Sequence, residues 1–118
     1  MEQGEVRYRR FHVIDDGGNL RKGSVTSAIQ YEGEEEGSFV YGVQFAYTSP
    51  RELHENRKVG QALATMRLMS DHPERGRLRL FMKERRKGLT QAIKEVIMME
   101  AERKRITWMQ GLTEANLV

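Results

Sequence analysis

The chain has 118 residues, with 20 Lys plus Arg, 17 Asp plus Glu, no cysteine and a formal net charge of +3. That length fits one compact domain, and zero cysteine excludes disulfides, thiolate catalysis, cysteine-ligated zinc and iron–sulfur clusters. A hydrophobic fraction of 38% allows only a modest core, so an oligomer that shares its core is expected at this size. The longest uncharged stretch, residues 37–50, is too short and polar to cross a bilayer. The acidic start Met1-Glu2-Gln3-Gly4-Glu5 lacks the apolar run of a leader peptide, and a cytoplasmic protein is the expectation.

In chain order, residues 6–14 are rich in β-branched and aromatic side chains and read as a strand. Asp15-Asp16-Gly17-Gly18-Asn19 is a dense turn signal, and residues 20–31 resume with Val25, Thr26, Ile29 and Tyr31, which predicts a hairpin. Gly33-Glu34-Glu35-Glu36-Gly37 reads as a solvated acidic turn. The clearest strand follows it: Phe39, Tyr41, Val43, Phe45 and Tyr47 place one apolar face at period two. Such a face needs a helical cover. Ser49-Pro50-Arg51-Glu52 supplies an N-cap serine, proline at the first helical position and a capping-box glutamate. The helix predicted over residues 50–70 carries Leu53, Val59 or Gly60, Leu63, Met66 and Met69 as its core stripe. Gly60 inside it costs about 1 kcal/mol against alanine, which points to close approach by another group.

After a loop over residues 70–76, Leu78, Leu80 and Met82 alternate with Arg77, Arg79 and Phe81, which suits a fourth strand or the start of the last helix equally. Residues 83–110 read as a helix roughly 40 Å long that would overhang the sheet and pack on a second subunit. Gly111 would cap it, and residues 112–118 would form a loose tail. The predicted class is α+β: an N-terminal antiparallel sheet of three to four strands over residues 5–48, then two C-terminal helices.

Little in the chain points to an enzyme. His12, His54 and His72 fall on a strand, a helix and a loop without ligand spacing, and no Walker loop, G-x-S-x-G or G-x-G-x-x-G occurs. Basic groups are more informative. Lys83-Glu84-Arg85-Arg86-Lys87 and Arg103-Lys104-Arg105 both lie on the predicted last helix, and Arg51, Arg57, Lys58 and Arg67 decorate the first. A solvated surface with paired glutamates is one reading, and phosphate or nucleic-acid binding is the other. Phe81, Tyr47 and Trp108 could stack on a base, although core or interface packing is the favoured reading for Trp108 and Phe81. Asn56-Arg57-Lys58 offers amide, guanidinium and ammonium donors, of which one or two would face any one ligand.

The order of a β-rich half, Ser49-Pro50-Arg51, Asn56-Arg57-Lys58-Val59-Gly60 and a long basic helix resembles the phage-encoded Thoeris anti-defence sponge proteins of the first family. The resemblance covers the architecture loosely and about fifteen residues as a motif. It implies a non-enzymatic homo-oligomer, dimer or hexamer, that binds and sequesters a cyclic ADP-ribose isomer, with cyclic oligonucleotides as a further ligand. It carries Arg57 over as ligand-facing, with Asn56 and Lys58 beside it, and suggests Phe81, Gln91, Arg105 and Trp108 from the second helical region. No cofactor, metal or membrane is implied. The alternatives are a phage protein inhibitor such as an anti-CRISPR, or a small nucleic-acid-binding protein.

Overall fold

In a computed structural model, residues 4–49, 57–72 and 76–114 are described. Strands β1 (Arg7–Ile14), β2 (Leu20–Glu35) and β3 (Ser38–Thr48) are followed by helix α1 (Arg57–Leu68), strand β4 (Leu78–Met82), helix α2 (Leu89–Arg103) and strand β5 (Gly111–Glu114). The strands form one antiparallel sheet in the order β4-β3-β2-β1-β5. The β1–β2 turn forms as its composition predicts, because the Asp15 carboxylate accepts the N–H groups of Gly17 and Asn19, each at 2.9 Å. Those bonds, that of Asn19 foremost, hold the Asp15 carboxyl below its ordinary pKa.

The segment over residues 78–82 resolves as a strand, paired from Phe39↔Met82 to Val43↔Leu78. The last helix is shorter than its apolar periodicity suggests. It starts at Leu89, after a run of bends and turns that includes Arg86 at φ 75° and Gly88 at φ 74°, and ends at Arg103. At 15 residues it spans about 22 Å and does not overhang the sheet, which removes that ground for a second subunit. Nor is the end a loose tail: residues 111–114 pair with β1, and Leu112 is buried opposite Val13. The cap expected at Ser49-Pro50-Arg51-Glu52 lies mostly outside the described residues.

The two faces of the sheet differ in side-chain size. Odd-numbered Phe11, Val13, Val25, Ile29, Tyr41, Val43 and Phe45 form the main core with Leu89, Ile93, Ile97 and Ala101 of α2. The apolar face that the sequence exposes on β3 is therefore covered by α2, and not by the helix that follows it directly. Helix α1 lies on the opposite face, against the short side chains of Ala28 and Ala46. Its inward residues are Gly60, Ala64 and Leu68, while Val59, Leu63, Met66 and Met69 are exposed, Met66 at 62%. The expected core stripe is thus the outer one. A face of Ser24, Thr26, Ala28 and Ala46 draws the helix close, with Gly60 and Ala64 against it and Leu68 as its one large buried side chain.

Gly60 carries this close approach. A Cβ there would lie 2.9 Å from the Thr26 Oγ1. Nearby, the Tyr8 hydroxyl and Thr65 Oγ1 share a 2.6 Å hydrogen bond, and Arg67 Nη1 donates to the Phe45 carbonyl at 2.7 Å. Arg77 fastens the end of α1 to the sheet, donating to Leu68 O at 3.3 Å, to the Glu32 carboxylate at 3.0 Å and to Gln30 Oε1 at 2.6 Å. Glu35 of the predicted acidic turn is paired with Arg79, while Glu34 and Glu36 stay exposed. Gly60→Ala is expected to destabilise the protein by about 1–2 kcal/mol, through overpacking against the stiff Thr26. Adding Thr26→Ala should recover most of that loss, as read by urea unfolding midpoints.

Candidate functional site

Four arginines gather where β1, β2 and the β4–α2 loop meet. Period-two alternation puts Arg7 and Arg9 of β1 on the α2 side, with Arg7 opposite Ile29 and Arg9 opposite Ser27. On β2 the register shifts between Tyr31 and Gly33, where Gly33 adopts φ 119°. Up to that bulge the register is regular, so Tyr31 pairs with Tyr41 on the α2 side, and Glu32, on the opposite face, reaches Arg77 and Arg79. The segment before β1 is tied down beside it, because Gly4 N–H donates to Tyr31 O at 3.0 Å and Gln30 Nε2 donates to Gly4 O at 2.8 Å. Arg85 and Arg86 enter from the loop that leads into α2.

Together these elements border a half-open cavity of about 450 Å³ lined by Arg7, Arg9, Arg85, Arg86, Tyr31 and Tyr41, and also by Glu5 and Thr90. That volume lies in the range of small-molecule sites. Among the described residues none of the four arginines forms an ion pair. Arg9 reaches only the Tyr8 carbonyl, at 3.4 Å, and the Arg85 guanidinium stacks over the Tyr31 ring at 4.3 Å. Tyr41 is 5% exposed, and its buried hydroxyl has no hydrogen-bond partner among the described residues.

The amino end of α2 adds to the positive field. Its N-cap is Gly88, which offers no side-chain acceptor, and its first turn holds no acidic residue. Arg86 sits at φ 75°, a left-handed backbone that costs a non-glycine residue about 1–2 kcal/mol. This strain lies next to the clustered arginines of the cavity.

Two other hollows are less suited to a ligand. One follows the outer edge of β3 beyond its pairing with β4, lined by Tyr47, Arg67, Arg103 and Lys104. Its positive groups are already engaged: Arg67 with Phe45 O, Arg103 with Glu100, and Lys104 over the Tyr47 ring at 5.6 Å. Burial, followed by the charge of Glu100, pushes the Tyr47 phenol up to about 12. The other is a groove beside Trp108, lined by Ile14, Arg21 and Lys22, where Arg21 lies 3.5 Å from Asp15.

Among the described residues, those singled out from the sequence do not gather in one place. Asn56 lies outside the described residues, Arg57 opens α1 with its side chain outside them, and Lys58 is exposed on α1. Gln91 is on α2, across the sheet from α1, with its amide 3.3 Å from Glu95. Phe81 is on β4, 56% exposed, under the Arg79 guanidinium at 5.3 Å. Arg105 is exposed just past α2 at φ 57°, and Trp108 packs partly against the core. Arg85 and Arg86, noticed as part of a basic helix, belong to a loop instead. Arg7 and Arg9 were legible only as alternate members of a strand whose partner residues were unknown.

The chain matches no family model, no curated protein and no solved structure.

Arg86→Gly is expected to raise stability by about 1 kcal/mol, by relieving the left-handed backbone, and to weaken the binding of a phosphate-bearing ligand. Arg86→Ala should weaken binding without the gain in stability. Thermal melting and titration calorimetry on the two variants check both statements.

Proposed function

We propose that this protein binds and holds, without cleaving it, a small phosphate-bearing nucleotide in the cavity of Arg7, Arg9, Arg85 and Arg86. The observation that carries this reading is a cavity of ligand size lined by four arginines, which form no ion pair among the described residues, by two tyrosines and by a single carboxylate, Glu5. A guanidinium fork matches the geometry of a phosphoryl group, and the rings offer an apolar wall for a base or ribose. Arginine stays protonated and serves poorly as an acid or base, so the lining favours retention over turnover. Within this reading, the resemblance to Thoeris sponge proteins makes a cyclic ADP-ribose isomer the first ligand to test, with sequestration of an immune signal in the cytoplasm as the role. Arg57, carried over from that resemblance, becomes the control position.

Calorimetry with cyclic ADP-ribose isomers and cyclic oligonucleotides tests the reading, followed by heat denaturation and recovery of the ligand. Intact ligand should be released, and Arg7→Ala should lower affinity by about 2 kcal/mol, as for a charge-assisted hydrogen bond, while the fold is retained. Loss of binding in Arg57→Ala with no change in Arg7→Ala would move the site to α1. Recovery of a cleaved product would show an enzyme. A second reading, nucleic-acid binding, draws on exposed Lys83 and Lys87 flanking the loop arginines, and it predicts affinity falling steeply with salt.

We propose further that the protein is a homo-oligomer. This rests on the outer stripe of α1, where Val59, Leu63 and Met66 recur at spacings of four and three and remain exposed. Leu63→Lys combined with Met66→Glu should shift the sedimentation coefficient to that of a monomer. Unchanged sedimentation would exclude this face.

A further inference from the structure

Three side chains of the cavity lie in succession and bear on how one of its arginines is held. Tyr41, buried on β3, lies directly across from Tyr31 on β2, with ring centroids 5.3 Å apart and planes tilted by 55°. The Tyr31 ring in turn lies 4.3 Å beneath the Arg85 guanidinium. Arg85 itself is exposed on an irregular loop, where a long side chain would otherwise sample many rotamers. Tyr31 follows the regular alternation of β2 onto the cavity side, paired with Tyr41 just before the register shifts.

On this geometry we infer that Tyr31 is a positioning residue: its ring, backed by Tyr41, holds the Arg85 guanidinium flat so that its donor edge is presented to an oxyanion in the cavity. A guanidinium stacked by its face keeps all its N–H groups in plane and free to donate. Ordering Arg85 before the ligand arrives removes a cost that binding would otherwise carry. The role depends on the ring and not on the Tyr31 hydroxyl. It also distinguishes arginine from lysine at position 85, because an ammonium cannot combine facial stacking with a two-pronged edge. The inference rests on the cavity being the binding site.

Titration calorimetry with inorganic pyrophosphate and with ADP as probes tests it. Tyr31→Leu should weaken pyrophosphate binding about fivefold to tenfold, and Tyr31→Phe should stay within about twofold of the unmodified protein. Arg85→Lys should bind as weakly as Arg85→Ala. Introducing Tyr31→Leu into the Arg85→Ala protein should cost no more than about twofold, since a residue that acts through Arg85 has nothing left to position. Additive losses in that double variant, or full affinity in Arg85→Lys, would overturn the inference. If Tyr31→Leu melts at a lower temperature, the comparison of Arg85→Lys with Arg85→Ala decides alone, because neither alters the packed rings. Failure of the unmodified protein to bind either probe is a different result: it overturns the phosphate-binding reading of the cavity itself.

Discussion

The architecture depends on an inequality in side-chain size between the two faces of one sheet. On one face the alternating positions of β1, β2 and β3 carry Phe11, Val25, Ile29, Tyr41, Val43 and Phe45, and on the other they carry Ser24, Thr26, Ala28 and Ala46. The large face stands off its helix and fills the gap with Leu89, Ile93 and Ile97, which makes the α2 layer the main hydrophobic core. The small face lets α1 approach closely, with Gly60 and Ala64 against the sheet and Leu68 filling the space at its end. Each helix is thus matched to its face by volume, and exchanging them would leave voids on one side and clashes on the other.

That matching has two consequences for function. Because α1 buries only small residues and Leu68, its larger apolar side chains are turned outward, and the helix is apolar on two sides. Because α2 begins late, at Leu89, the preceding loop is free to fold over the end of the sheet. There it carries Arg85 and Arg86 to the same place as Arg7 and Arg9 of β1. Regular alternation along β2 keeps the Tyr31 ring on the cavity side, while Glu32, on the other face, serves the Arg77 and Arg79 pairs. The strained backbone of Arg86 and the uncapped start of α2 lie at this same point, where local stability has been exchanged for a positive field.

Much of the sheet was legible in the sequence, because a period of two in a strand with one buried face is a strong signal. The β1–β2 turn, the apolar odd face of β3 and the close approach at Gly60 could all be read from residue types. Helix α1 misled because its exposed Val59, Leu63 and Met66 mimic a core stripe, and amphipathicity records that a face is apolar without recording what it meets. The last helix misled because Lys83-Glu84-Arg85-Arg86-Lys87 has helical propensity, whereas the chain there must turn from the end of β4 to the start of α2. Propensity gives way to the tertiary requirement.

Composition and local pattern by themselves determined the class of the protein, α+β without disulfides, the strand alternation, and the abundance of arginine available to meet an anion. They could not decide which arginines act together. Arg7 and Arg85 are far apart in the chain and become neighbours only when β1, β2 and the β4–α2 loop are assembled, a long-range pairing to which no local period responds. The tertiary structure alone decided that the basic groups of β1 and the loop converge, that α1 and α2 lie on opposite sides of the sheet, and that α1 faces outward with its largest side chains. The reason is the same in each case: volume and register, which the fold balances across the whole sheet, outrank the preferences of any single segment.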